Sequence, residues 1–143
     1  MDTNEKQKFI FASIFLLANK LQVLGDSYLA NEEMTTKQWF LIVIISQFEK
    51  PPMLTEVANL MGSSRQNVKQ LALKLQENGF LNIERDKKDG RTLRLKLTEK
   101  NQRFWDKKKE NDMDFILDLF KCLSQEEINT MYDVFNKLLN EIK

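Results

Sequence analysis

Histidine is absent from this chain of 143 residues, and cysteine occurs once, at Cys122. Those two absences exclude an intramolecular disulfide, an imidazole or thiolate metal site, and a Ser/His or Cys/His catalytic pair. The four glycines fall in no GxGxxG or GxxxxGK run, so no loop can cradle a phosphate. What survives is mostly binding chemistry, with no metal and no cofactor expected. Neither sign of charge dominates, since 22 basic and 21 acidic residues leave a net charge of +1.

Long apolar runs are lacking too. The longest, FIFASIFLLA at 9–18, is half of the ~20 residues that span a bilayer. The MDTNEKQK before it is charge-balanced rather than basic, unlike a secretory leader. It and the shorter run at 39–45 read as buried helix, with no membrane partner. A cytoplasmic protein is expected, which suits a lone thiol.

With 42% apolar and 30% charged residues the chain reads as a globular protein. At roughly 150 residues per domain, a single domain over 1–143 is expected. Charge is unevenly spread. Residues 1–50 carry 5 basic and 6 acidic side chains and residues 101–143 carry 7 and 9, whereas 51–100 carry 10 and 6. Within 63–97 the count is 9 basic against 4 acidic, an electrostatic footprint confined to one module. Charge alone is equally compatible with a solvated face.

Periodicity sets the organisation. Residues 4–24 read as a first helix, apolar nearly all round, closed by Gly25-Asp26. So wide a stripe needs cover on several sides, and in a small domain that cover is expected from a second chain. Thr35 with Gln38 is a capping box opening a buried helix to Phe48, stopped by Pro51-Pro52. A short helix at 55–61, with Val57, Ala58 and Met61 inward, turns through Gly62-Ser63-Ser64 into a helix at 65–77. That fourth helix buries Val68, Leu71, Ala72 and Leu75 and ends at Asn78-Gly79. The period then changes to two. Leu81 and Ile83, then Leu93, Leu95 and Leu97, alternate with polar residues around Lys87-Lys88-Asp89-Gly90, a β-hairpin with one buried face. Thr98 caps a fifth helix to about 121, and Ser124 with Glu127 opens a sixth to 142.

Two short helices across a tight turn, followed by a basic hairpin, describe a winged helix-turn-helix. The fold class expected is mainly α with a small β-hairpin. The winged helix-turn-helix occupies about 35–98, between N- and C-terminal dimerisation helices at about 4–24 and 99–142. The second helix of the pair must be apolar on one face and carry donors for base edges on the other. Those donors are Arg65, Gln66, Asn67, Lys69 and Gln70, with Ser63 and Ser64 able to bond phosphate. Arginine forks onto guanine, and asparagine or glutamine onto adenine. Polar residues on a surface helix are common, so it is their clustering at this helix start that points to DNA. The tip residues Lys87, Lys88 and Arg91 suit a minor groove, and Arg94 and Lys96 could add phosphate contacts. An acid in such a tip is costly unless paired, so Asp89 is expected to pair with Arg91.

From about 34 to 100 the chain resembles the multiple-antibiotic-resistance regulator (MarR) family of winged-helix transcription factors. The resemblance rests on Thr35, Gln38-Trp39, Leu54-Thr55-Glu56-Val57-Ala58 and Met61-Gly62-Ser63. It continues through Val68, Leu71, Leu75, Asn78-Gly79-Phe80-Leu81, the wing from Asp86 to Arg91, and Leu97-Thr98. Lys88 stands where the family usually has arginine. The resemblance implies a homodimer of interdigitating terminal helices on a pseudo-palindromic duplex, usually a repressor, often released by a small aromatic effector. A pocket for such an effector would draw on Phe11, Phe15, Trp39, Phe40 and Val43, although plain core packing is the commoner use of such residues. Relatives that sense peroxide use a cysteine near the first helix, which this chain lacks, and Cys122 is expected to be buried and inert. An adaptor that uses the winged helix to bind protein, with a merely solvated wing, is the alternative. An enzyme has little support, because Asp86 and Asp89 sit in an exposed turn.

Overall fold

Five of the six α-helix starts, all but the third, carry a side-chain acceptor for an N–H group that the first turn leaves without a partner. The computed structural model describes all of residues 1–143. Its order is α1 (Thr3–Leu29), a 3₁₀ turn (Ala30–Glu32), α2 (Thr36–Ser46), α3 (Leu54–Met61), α4 (Arg65–Glu77), β1 (Leu81–Arg85), β2 (Leu93–Leu97), α5 (Glu99–Phe120) and α6 (Gln125–Glu141). The strands form one antiparallel pair in which Leu81 faces Leu97 and Arg85 faces Leu93. This is the mainly helical winged helix-turn-helix expected from the sequence. The chain falls into two compact units, Met1–Gln102 and Arg103–Lys143, the boundary lying within α5.

In the first unit, Thr35 Oγ1 accepts from Gln38 N at 3.2 Å and Gln38 Oε1 accepts from Thr35 N at 3.0 Å. The intervening Thr36 N–H donates to Asp26 Oδ1 at 2.8 Å, so α1 caps α2 as well. Asp2 and Glu5 make an equivalent reciprocal box at the start of α1. The core is where α2, α3, α4 and the hairpin meet. Leu41, Val57, Val68, Ala72, Leu75, Leu81 and Leu95 are fully or almost fully removed from solvent. Each of the larger ones contributes about 1.5–3 kcal/mol by leaving water. Gly62 closes α3 and Gly79 follows α4, both at positive φ, where a side chain would be strained.

Three expectations need correction here. First, α1 does not stop at Gly25-Asp26 but continues to Leu29. Gly25 lies where α1 crosses the start of α2, and a Cβ there would overlap the Thr36 hydroxyl. That hydroxyl donates to the Gln22 carbonyl at 3.2 Å. The glycine is thus a close-approach residue, and tertiary contact overrides its usual role as a helix terminator. Second, the run at 9–18 is exposed in the single chain, with Phe9, Phe11 and Phe15 at 66%, 67% and 60%, and α1 buries only Leu29. By length and composition the helical stretch from Thr3 to Glu32 could cross a membrane. Third, α2 ends at Ser46 rather than Phe48, and it turns Leu41, Ile42 and Ile45 inward while leaving Trp39 and Phe40 at the surface.

The second unit holds most of α5 and all of α6. Phe104 and Trp105 meet edge to face at 4.7 Å between centroids, and the nearly buried Lys108 lies 3.6 Å from Asp112. Ser124 and Glu127 form the expected capping box. On α6 the apolar residues at three- and four-residue spacing are unevenly covered: Ile128 and Met131 are half-buried, while Tyr132, Phe135, Leu138, Leu139 and Ile142 are exposed. Cys122 is exposed as well, contrary to the expectation of a buried thiol, because it lies in the turn between α5 and α6.

Candidate nucleic-acid interface

The geometry of α4 follows from its sequence period. Val68, Ala72 and Leu75 are wholly buried and Leu71 half-buried, which fixes the helix's rotation and turns Arg65, Gln66, Asn67, Lys69 and Gln70 outward. The side chains of Arg65, Gln66, Lys69 and Gln70 form no hydrogen bond or ion pair with the rest of the chain, so their donors are uncommitted. Ser64 is the N-cap, its hydroxyl accepting from Asn67 N at 3.1 Å, and Ser63 beside it is half-buried. Gln76 Oε1 accepts from Ile83 N at 2.7 Å and ties the end of α4 to the first strand of the wing.

The wing tip is built by two aspartates. Asp86 Oδ2 accepts from Lys88 N at 3.2 Å and Asp89 N at 3.0 Å, while Asp89 accepts from Arg91 N and from the Thr92 hydroxyl. The expected Asp89–Arg91 pair is present at 3.4 Å, but the Arg91 side chain is 95% exposed, so the contact shapes the turn without neutralising the tip. Arg85 Nη1 donates to the Gly90 carbonyl at 2.6 Å. Lys87 and Lys88 project into solvent without side-chain partners.

Arg94 departs from its expected role on the solvent face of the hairpin. Its guanidinium donates to Asp86 Oδ1 at 2.6 Å and to the Pro51 carbonyl at 2.9 Å, and its side chain is 35% exposed. The Arg94 hydrogen bond, with those from Asp89 N and Lys88 N, holds the Asp86 carboxyl below its ordinary range. The signal was present in the register. Asp86 continues β1 opposite Thr92, so Arg94 is its diagonal neighbour on the same face.

An open groove of about 630 Å³ lies beside α4, lined by Asn67, Gln70 and Lys74 together with Gln22 and Asp26 of α1 and Phe40 of α2. Of the five residues considered for an effector pocket, Phe40 alone lines it. Phe11 and Phe15 instead stack edge to face at 5.2 Å on exposed α1, Trp39 is at the surface and Val43 is half-buried.

No family model matches the chain. A curated relative, an uncharacterised HTH-type transcriptional regulator, YpoP of Bacillus subtilis (strain 168), is 24% identical over 122 residues, covering 85% of this chain and 82% of its own. Among solved structures, a MarR/EmrR family transcriptional regulator from Acinetobacter sp. ADP1 superposes with a TM-score of 0.79 at 20% identity, over 95% of this chain and 96% of that one. A mutant MarR from E. coli in complex with operator DNA superposes at 0.80 with 18% identity, covering 97% and 99%. The fold is that of the MarR regulators. In the MarR arrangement as this chain realises it, α3 and α4 form the helix-turn-helix and β1 and β2 the wing, and the proteins it resembles are transcriptional regulators.

Proposed function

We propose that the chain is a sequence-specific DNA-binding transcriptional regulator, cytoplasmic, acting as a homodimer on a pseudo-palindromic duplex. The observation that carries this reading is the first half of α4. One face is sealed into the core, and the other presents Arg65, Gln66, Asn67, Lys69 and Gln70 with uncommitted donors on the scaffold shared with an operator-bound MarR. In this reading those donors meet base edges in the major groove, Ser63 and Ser64 meet phosphate, and Lys87, Lys88 and Arg91 enter the minor groove. Support for the homodimer comes from the apolar side chains left in solvent on α1 and on α6, more than a monomer ordinarily exposes. A two-fold dimer would set its α4 helices about 34 Å apart, one turn of duplex. Repression, with release by a small aromatic effector, is the form of regulation proposed.

Selection of bound duplexes from a random pool at two salt concentrations tests the reading. The expected product is a pseudo-palindrome with half-sites one turn apart. Its affinity should fall by about 10³ to 10⁵ between roughly 50 and 200 mM salt, as suits a dimer that neutralises about six to ten phosphates. Absence of enrichment at both salts, from protein refolded free of small molecules, would refute it and favour a protein-binding adaptor.

A further inference from the structure

Arg94 is the most committed cation of the wing, and its partners explain why. Segment 51–53 lies along β2 as an extra edge. Leu95 N donates to the Pro52 carbonyl at 2.9 Å, and Met53 pairs with Arg94 in an antiparallel bridge. That edge has no N–H to return. Pro51 and Pro52 lack one, and the N–H of Met53 is taken by Glu56 Oε1 at 2.9 Å. The edge therefore offers only carbonyls, and the rung that reaches Pro51 comes from a side chain, the guanidinium of Arg94. The same guanidinium grips Asp86, whose other oxygen organises the backbone of Lys88 and Asp89 at the tip. Segment 51–53 leads straight into α3, and α3 turns at Gly62 into α4.

We infer that Arg94 is a positioning residue, which holds the wing tip in register with α4 by strapping the hairpin to segment 51–53 and touches no nucleic acid itself. This rests on the DNA-binding reading above. The planar fork matters more than the charge, because it reaches a carboxylate and a carbonyl in one geometry, and a lysine ammonium on a flexible stem does not reproduce that.

The test compares Arg94→Lys, which keeps the charge, with Arg94→Met, which keeps the stem. Amide hydrogen exchange in the free protein is read at Lys88, Asp89 and Leu95, and binding is read on the selected duplex and on versions altered in the base pairs flanking each half-site. Both variants are expected to lose protection at those three amides and to bind roughly tenfold more weakly. Preference at the flanking, wing-read base pairs should flatten while preference at the α4-read positions survives, a split that a general loss of folded protein does not produce. An Arg94→Lys variant that binds like the parent would make Arg94 a phosphate contact and overturn the inference, as would unchanged protection in both variants. Should the parent itself select no duplex, the functional reading fails, while exchange in the free protein still decides whether the strap exists.

Discussion

The module from α2 to β2 and the helix α1 treat their apolar residues in opposite ways. In the module, Val57, Val68, Leu75, Leu81 and Leu95 are sealed from solvent, and the exposed large apolar side chains are few: Trp39, Phe40, Leu60 and Leu73. Along α1 the phenylalanines and every leucine but Leu29 face water, and α6, within its own unit, repeats the pattern with Phe135, Leu138 and Leu139. One region is finished by its own contacts. The other two present surface of the composition found where a second chain packs.

The sharpest break in this comparison comes from truncating one leucine on each side of it. Leu75→Ala should cost about 2–5 kcal/mol in denaturant unfolding, because it opens a cavity in a closed core. Leu17→Ala on α1 should do far less at protein concentrations where chains are separate, and an equal loss there would contradict the division. Next in size, Phe135→Glu or Leu138→Glu should dissociate the proposed dimer in sedimentation experiments, and a stable dimer from both variants would remove α6 from the interface. Within the proposed DNA surface, Arg65→Ala should cost about 1–3 kcal/mol of discrimination at particular base pairs. Lys88→Ala should weaken binding evenly across sequences and flatten the salt slope by about one. Equal behaviour of those two variants would erase the distinction between base-reading and backbone contacts.

The smallest expected effect concerns acid. Asp86 is held below its ordinary range chiefly by the Arg94 hydrogen bond. A depressed carboxylate contributes stability that is in place above its unfolded value, about 3.9, and is lost as pH falls through the folded value. The wing should therefore keep its bracing at neutral pH and loosen only in strong acid. An NMR titration of the Asp86 carboxyl, with Asp86→Asn as the variant that lacks the transition, checks the sign.

Much of the fold was legible because its signals are local. The Thr35/Gln38 and Ser124/Glu127 boxes, the Ser64 cap and the left-handed Gly79 each depend on residues within three or four positions. The outward set on α4 followed from its period, and the Asp89–Arg91 pair from the cost of an unpaired acid at a cationic tip. What escaped was set at a distance. The Arg94–Pro51 contact joins residues 43 apart in the chain, so the strand's period, which sets Arg94 on the polar face, could not show it. Gly25 looked like a terminator because its neighbours in sequence do not include Thr36, the residue that requires it. The burial predicted for 9–18 presumed a covering surface that a single chain does not contain.

That crossing at Gly25 has a mechanical consequence. It lies near one end of α1, with 22 residues of continuous helix running from it back to Thr3. At 1.5 Å per residue this is a lever of roughly 33 Å, so a tilt of about 10° at the fulcrum sweeps the far tip through roughly 6 Å. A side chain too large by one methyl would act at the short arm and be read out, magnified, at the long one.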